Sequence, residues 1–537
     1  MKKLKKNMFT SSIILIVSGL VTRILGFVYR IYMSNIIGSM GMGLYQLVIP
    51  IYTLVWSITC SGFNTTISKL TSSEKAKGNY GNIRRFLMQA ICVTTLLSVG
   101  IAVVMFVFAE FIAGQLFNEP RIALSIQVLA FAVPFMAVGS SIRGYFYGLH
   151  DAMIPAISQV IEQVVRLFVV YLVATMFMGR GIEFTIAAMM TGVVAGEAIA
   201  SVYVFCSYKD YNPKQPKVAW ASDRFRGDRP QAKPDRQTLR KIRKSFAQGR
   251  QVRRASLMTL IAMSVPLSLS RVSGSLLSTV ENILIPQRLV LYGMTQSEAL
   301  SEFGKLTGMA MPLIQLPSVV LVALSISLVP AISESLAVGN YNKINRTVSQ
   351  TMLFSMVVGM GGTAVFIGFA DVLGQLIYSQ DIARMLVYLG LLSPFLYVNS
   401  LMTGILNGLG LQMFIFRNSL ISSVIALGFI WFAIPIMGIY GFILGWLCSL
   451  LVLCGINVYK IRQTAGIRLD LFNWFGKPVV CALASVVMIN WLRDAVYARM
   501  GAMPGTVVLV GVMGLVYVAL VVVTGCVKLG ELKQLRG

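Results

Sequence analysis

The chain reads as an all-α, multi-pass membrane protein of fourteen transmembrane helices: two parallel six-helix repeats plus two C-terminal helices. Three observations predict this. Of the 537 residues, 56% are hydrophobic and only 12% charged, with a mean hydropathy of +0.76, whereas soluble domains carry about 25% charged residues. Predominantly apolar runs near the ~20-residue length that spans a bilayer recur fourteen times along the sequence. Blocks of sequence also return at an offset of 260 to 261 residues.

Span 1 covers residues 9–33. The N-terminal MKKLKKNMFTSSIILIVSGL begins like a secretory signal, but its apolar run passes Arg23 and reaches Met33 without a small-residue cleavage site. An uncleaved first helix follows. Spans 2 to 6 cover 43–63, 86–110, 121–149, 153–178 and 183–207. The pattern then breaks at residues 209–254, which hold 15 basic and 4 acidic residues among Pro, Gly and Gln. This segment reads as a cytoplasmic linker close to anionic membrane lipid. It lacks the interleaved aromatic platform of a single-strand binder, so nucleic acid is not an expected partner. Spans 7 to 12 cover 256–280, 306–330, 348–370, 382–408, 414–434 and 438–461. Spans 13 and 14, at 478–496 and 503–525, complete the set. The expected division is 1–208 for a first six-helix bundle, 209–254 for the linker, 255–461 for a second bundle, and 462–537 for two added helices.

The repeat orders these spans. PFMAVGSSIRGYFYGL (134–149) aligns without gaps on PFLYVNSLMTGILNGL (394–409), pairing Pro134 with Pro394, Gly144 with Gly404 and Gly148 with Gly408. GQLFNEPRIA (114–123) matches GQLIYSQDIA (374–383) at the same offset, and GNYGNIRR (78–85) matches GNYNKINR (339–346) at 261. Six spans per repeat is an even number, so both halves enter the membrane in the same direction. Parallel repeats of this kind are related by an axis along the membrane normal, with substrate sites between the halves. Spans 13 and 14 lie outside the repeat.

The net charge of +26 is distributed as a membrane protein distributes it. With the N-terminus inside, 34 of the 46 Lys and Arg fall on the cytoplasmic side, seven on the other, and five within spans. Both termini are therefore expected in the cytoplasm. Seven scattered cysteines form no CxxC pair and His150 is the only histidine, so no metal site or disulfide framework is expected. No GxxxxGK[ST] motif occurs, which leaves the chain without an ATP-driven motor of its own. No cofactor is expected.

Charges deep within spans are few: Arg23, Arg30, Arg143, Glu162, Arg166, Glu197 and Arg271, with Glu281 near the end of span 7. Each costs about 2.5–3.5 kcal/mol at a helix centre on insertion scales, so six facing lipid would cost roughly 15–20 kcal/mol. That exceeds the typical domain stability of about 5–15 kcal/mol. These groups must face water, a partner charge or a ligand. In span 5, Gln159, Glu162, Gln163 and Arg166 are spaced i, i+3, i+4, i+7 and form one polar stripe. A Glu162–Arg166 pair within the helix explains part of it, and the two glutamines extend it towards the wall of an aqueous cavity. The Gly192–Gly196 spacing reads as close helix packing. All the deep charges lie in spans 1, 4, 5, 6 and 7, and arginine outnumbers glutamate. Arginine forks suit phosphate oxygens, so a pyrophosphate head is a better candidate ligand than a cationic drug. Arg23, Arg30, Arg143, Gln159, Glu162, Gln163, Arg166 and Arg271 are the candidate substrate-binding residues. Glu162, Glu197 and Glu281 are candidates for ion coupling.

QVIEQVVRL (159–167), SIRGYFYG (141–148), TRILGF (22–27) and LPSVVLVALSISLVPAISE (316–334) resemble the stage V sporulation protein B family. That family sits with the polysaccharide transporters and lipid II flippases of the multidrug/oligosaccharidyl-lipid/polysaccharide exporter superfamily. The likeness runs over most of residues 8–460. It implies a V-shaped fourteen-helix flippase of the bacterial cytoplasmic membrane. Such a protein moves an undecaprenyl-pyrophosphate-linked sugar outward by alternating access, for peptidoglycan or spore cortex. It further implies that Arg23 corresponds to the cavity arginine of lipid II flippases. The sequence departs from those flippases at Gly41 to Tyr45, where their early span-2 acid has no counterpart, and at spans 11 and 12, which lack the acid of a sodium site. A cation-coupled multidrug antiporter on the same fold is the alternative, and a membrane scaffold for cell-wall synthesis enzymes a second. An enzyme is not expected, because no paired carboxylates sit at a membrane face in catalytic spacing.

Overall fold

The structure is a computed structural model and describes residues 2–77, 79–177, 179, 181–210, 257–466, 470 and 472–526. Residues 211–254 of the basic linker lie outside the described residues. Every regular element among the described residues is helical. Twelve helical stretches are long and apolar enough to cross a membrane. One, Ile14–Ala76, runs for 63 residues, about 95 Å of helix against a hydrocarbon core of about 30 Å. It turns at Gly38, whose φ of 66° and ψ of −172° are open to glycine and strained for other residues. Spans 1 and 2 are therefore two helices joined by that glycine. Span 4 is a pair, Pro120–Ala130 and Ala132–Gly148, bent by 45°. With these two breaks read as such, a helix stands at each of the fourteen predicted segments. Span 7 is longer than its apolar core suggests, reaching Leu291.

The sequence repeat is also a repeat of backbone. Tyr80–Val107 and Tyr341–Gly368 are both 28-residue helices. They follow Asn79 (φ −93°, ψ 67°) and Asn340 (φ −86°, ψ 74°). The ends of spans 4 and 10 correspond as well, with left-handed residues at His150 and Gly410. The recurring glycines have a reason. A Cβ on Gly144 would lie 2.6 Å from the carbonyl oxygen of Asn64, and one on Gly404 would lie 2.7 Å from that of Ser325. Span 4 thus packs backbone to backbone on span 2, and span 10 on span 8 in the same way. Matching hydrogen bonds hold each pair: Asn64 Nδ2 donates to the Ser140 carbonyl at 2.8 Å, and Ser325 Oγ to the Ser400 carbonyl at 3.0 Å.

The two repeats meet at equivalent residues. Gly43 and Gly304 are 261 positions apart, and a Cβ on Gly304 would lie 3.1 Å from the Gly43 Cα. Gln46 and Thr307 are also 261 apart, and Gln46 Nε2 donates to the Thr307 carbonyl at 2.9 Å. Ser39 and Ser301 hydroxyls join at 2.7 Å. Contact between repeat mates marks the axis that relates them. Around it, Met42, Leu44, Leu300, Phe303 and Leu306 are fully buried in a core shared by both repeats. Added side-chain volume at a packed backbone crossing costs about 1–3 kcal/mol. Gly304→Val is therefore expected to lower the thermal midpoint of purified protein by several degrees, while Gly514→Val, where a Cβ meets open space, leaves it unchanged. Equal midpoints would remove the crossing from the account.

Candidate functional site

Six of the eight deep charges line two cavities. The first, about 380 Å³, is lined by Tyr52, Thr53 and Trp56 of span 2, Arg143 and Tyr147 of span 4, Gln159 and Glu162 of span 5, Glu197 of span 6 and Arg271 of span 7, among others. Within it the charges alternate. Arg166 Nη2 donates to Glu162 Oε1 at 2.6 Å, and Glu162 Oε2 lies 3.6 Å from Arg143 Nη1. Arg143 Nη2 lies 3.8 Å from Glu197 Oε2, and Tyr52 OH donates to Glu197 Oε1 at 2.5 Å. Arg143 and Glu197 are 8% and 3% exposed, so each depends on the others for the solvation it has lost.

The pair of glycines in span 6 makes this possible. A Cβ on Gly196 would lie 2.8 Å from the Glu162 carbonyl, and one on Gly192 would lie 3.0 Å from the Arg166 carbonyl. Spans 5 and 6 approach so closely at these positions that Glu197 reaches the same guanidinium as Glu162. The spacing that reads in sequence as mere packing is what assembles the charge network.

The first cavity does not share the excess of arginine over glutamate that the deep charges show as a set. The lining of the first cavity carries Arg143 and Arg271 against Glu162 and Glu197, a balance of zero. Arg166 does not line it and stands behind Glu162. Gln163 is half-buried and lines neither cavity. Arg271 reaches from span 7 to span 2, donating to the Ser61 carbonyl and to Thr65 Oγ1, both at 3.3 Å. Glu281 joins neither group.

The second cavity, about 490 Å³, takes Arg23 and Arg30. These sit two helical turns apart on one face of span 1, about 10 Å along the axis. Between them Gly26 leaves open space. The opposite wall comes from the second repeat, including Gln315 and Ser318 of span 8 and Leu396 and Ser400 of span 10. No acidic residue lines it, and among the described residues neither arginine has an ion-pair partner. Its lining charge is +2. It lies between the two repeats, whereas four of the five spans that line the first cavity belong to the first repeat.

Sequence reasoning missed the uncharged half of both sites. Tyr52, Trp56, Asn64 and Thr65 line the first cavity and Gln315, Ser318 and Ser400 the second. Hydroxyl and amide groups are inexpensive in a helix and leave no signal comparable to a charge. The polar run SITCSGFNTT (57–66) in an apolar span is the one trace of them.

Comparison with known proteins gives the family. Residues 8–336 match the family of polysaccharide biosynthesis proteins. The chain is 28% identical over 540 residues to stage V sporulation protein B of Bacillus subtilis (strain 168), covering 99% of this chain and 98% of that one. Its fold is similar to that of a lipid II flippase MurJ in an inward closed conformation, with TM-score 0.65, 12% identity, and 94% and 98% of the two chains covered. It is also similar to an inward-facing multidrug resistance MATE family transporter, with TM-score 0.62, 13% identity, and 85% and 98% covered.

Proposed function

We propose, from the premise that the chain belongs to the polysaccharide biosynthesis protein family, that it is a flippase for a sugar precursor linked to undecaprenyl pyrophosphate. Lipid II or a related lipid-linked glycan is the cargo, and peptidoglycan or spore cortex the product it serves. The observation that carries this reading is the second cavity: two arginines, no acid, and walls drawn from both repeats. A pyrophosphate entering there meets Arg23 and Arg30, whose planar forks match phosphate oxygens. Gln315, Ser318 and Ser400 offer hydrogen bonds to the sugar, and the polyprenyl tail stays in lipid.

Residues 1–208 and 255–461 act as two bundles that rock about the seam at Gly43 and Gly304, with both termini in the cytoplasm. Residues 462–537 add two helices outside the rocking core, and the basic segment 209–254 tethers the bundles. The first cavity serves a different purpose from the second. Glu162 and Glu197 tie spans 2, 4, 5 and 6 to Arg143 and offer two carboxylates for ion coupling. Glu281 is the third candidate for that role, at the junction of spans 7 and 11. Export of cationic drugs on the same fold fits less well, because neither cavity has an excess of acid. Recruitment of cell-wall enzymes has no residue to argue from.

Reconstitution tests the reading. Proteoliposomes given defined lipid-linked sugar pyrophosphates, with and without a membrane potential, are expected to expose the sugar on the far leaflet faster than protein-free vesicles. Vesicles that export a cationic dye and leave the lipid-linked sugar in place would overturn it.

A further inference from the structure

Arg271 takes no part in holding the pyrophosphate or in the network around Arg143, yet it is exposed and lines the first cavity. It reaches only neutral groups, the Ser61 carbonyl and Thr65 Oγ1, at 3.3 Å each. Both contacts are long for hydrogen bonds, and among the described residues no acid lies within ion-pair distance of it. The charge count gives the reason. With Arg166 behind Glu162, three arginines share this region with two glutamates. Glu162 matches Arg166 and Glu197 matches Arg143, so the one positive charge left over resides on Arg271.

The same cavity holds an unfilled acceptor. Glu197 is 3% exposed and its Oε2 accepts no hydrogen bond: Arg143 stops 3.8 Å short, and Tyr52 donates to Oε1. A buried carboxylate oxygen without a donor is a standing penalty that an N–H or O–H of a ligand removes. Trp56 and Tyr147 add ring faces, and Gln159 an amide that both donates and accepts. The cavity's volume of about 380 Å³ lies within the range of small-molecule pockets, about 300–1,000 Å³. One guanidinium fork, one empty acceptor and an aromatic wall make a receptor for a small, singly charged acid that carries N–H or O–H groups. A phosphate fits less well, because its further charge would face Glu162 and Glu197 with no arginine left to meet it.

We infer that the first cavity binds a carboxylate borne by the head group of the cargo, with the carboxylate on Arg271 and an N–H or O–H of the same group on Glu197 Oε2. The inference rests on the reading of the chain as a flippase for lipid-linked sugars, and it narrows the cargo to head groups with a free carboxylate. A peptide attached to the sugar supplies one, and so does an acidic sugar ring.

Ligand-observed saturation-transfer NMR on the full chain in nanodiscs tests this with soluble fragments. The probes are N-acetyl-alanyl-alanine and its C-terminal amide, glucuronate and glucose, and inorganic phosphate. Saturable binding is expected of at least one acid and of neither neutral counterpart, and the acid that binds identifies peptide or sugar as the source. Arg271→Gln should weaken that binding by roughly 10- to 100-fold, the range for one lost hydrogen bond to a charged group. Arg271→Lys should weaken it less, since it keeps the charge without the fork. Equal binding of an acid and its neutral counterpart, binding of neither acid, displacement by inorganic phosphate at equal concentration, or undiminished binding by the glutamine variant would each overturn the assignment. The comparison of acids with neutral counterparts needs only the unaltered protein and does not require that the chain flips a lipid. In proteoliposomes, equal flipping of lipid-linked sugars with a free and an amidated carboxylate would sink the carboxylate site alone. Flipping of neither would sink the reading on which it rests.

Discussion

Replacing Arg23 and Arg30 together with glutamine is expected to reduce transport of a lipid-linked pyrophosphate by roughly 10²- to 10⁴-fold while leaving the protein folded. Hydrogen bonds to charged groups contribute about 1.5–3 kcal/mol each, and two of them account for that range. The fold should tolerate the change because neither arginine belongs to an ion pair among the described residues, and Arg23 is exposed in its cavity. Glutamine keeps donors at both positions and removes only the charge and the fork. Arg23→Lys with Arg30→Lys should recover part of the activity, since a lysine supplies charge without bidentate geometry. The measurement is far-leaflet exposure of sugar in proteoliposomes at matched protein level. Normal transport by a folded glutamine variant would sink the second cavity as the pyrophosphate site.

The opposite behaviour is expected at Arg143. Arg143→Met keeps most of the side-chain volume but strips Glu197 of the only cation paired with it among the described residues and leaves Glu162 with Arg166 alone. Removing one partner of a buried ion pair typically costs about 3–5 kcal/mol, because the charge left behind has neither water nor a counter-ion. The variant should therefore lose thermal stability in detergent before any question of transport arises. Glu197→Gln in the same chain should return part of that loss, since it removes the stranded charge and keeps an acceptor for Tyr52. A double-mutant cycle over these two positions is expected to give a coupling of about 0.5–3 kcal/mol. Additive losses would mean that Arg143 and Glu197 do not depend on each other, contrary to their 3.8 Å separation.

These two outcomes divide along a line that the sequence did not draw. The helices themselves were legible, because a bilayer demands about 20 apolar residues per crossing and tolerates few exceptions. The repeat was legible because spans 4 and 10 need glycine at the same places to touch spans 2 and 8. Which charges neutralise one another was not. Insertion cost says that Arg23, Arg143 and Glu197 each need a polar environment, but nothing in one dimension says that Arg143 stands between two glutamates and Arg23 between two repeats. The i, i+4 pair of Glu162 and Arg166 was readable since it lies within one helix. Its continuation through Arg143 to Glu197 and Tyr52 depends on how closely spans 5 and 6 approach at Gly192 and Gly196, which is a three-dimensional fact.

The meeting of Gly43 with Gly304 also decides which part of the molecule can stay still while the rest moves. At the crossing itself the two backbones touch, and Met42, Leu44, Leu300, Phe303 and Leu306 pack around them. Parting the repeats there would uncover these side chains and break the Ser39–Ser301 and Gln46–Thr307 hydrogen bonds. Full burial of one such side chain is worth about 1.5–3 kcal/mol. The crossing is therefore expected to stay closed as a fulcrum, and the displacement to grow with distance from it.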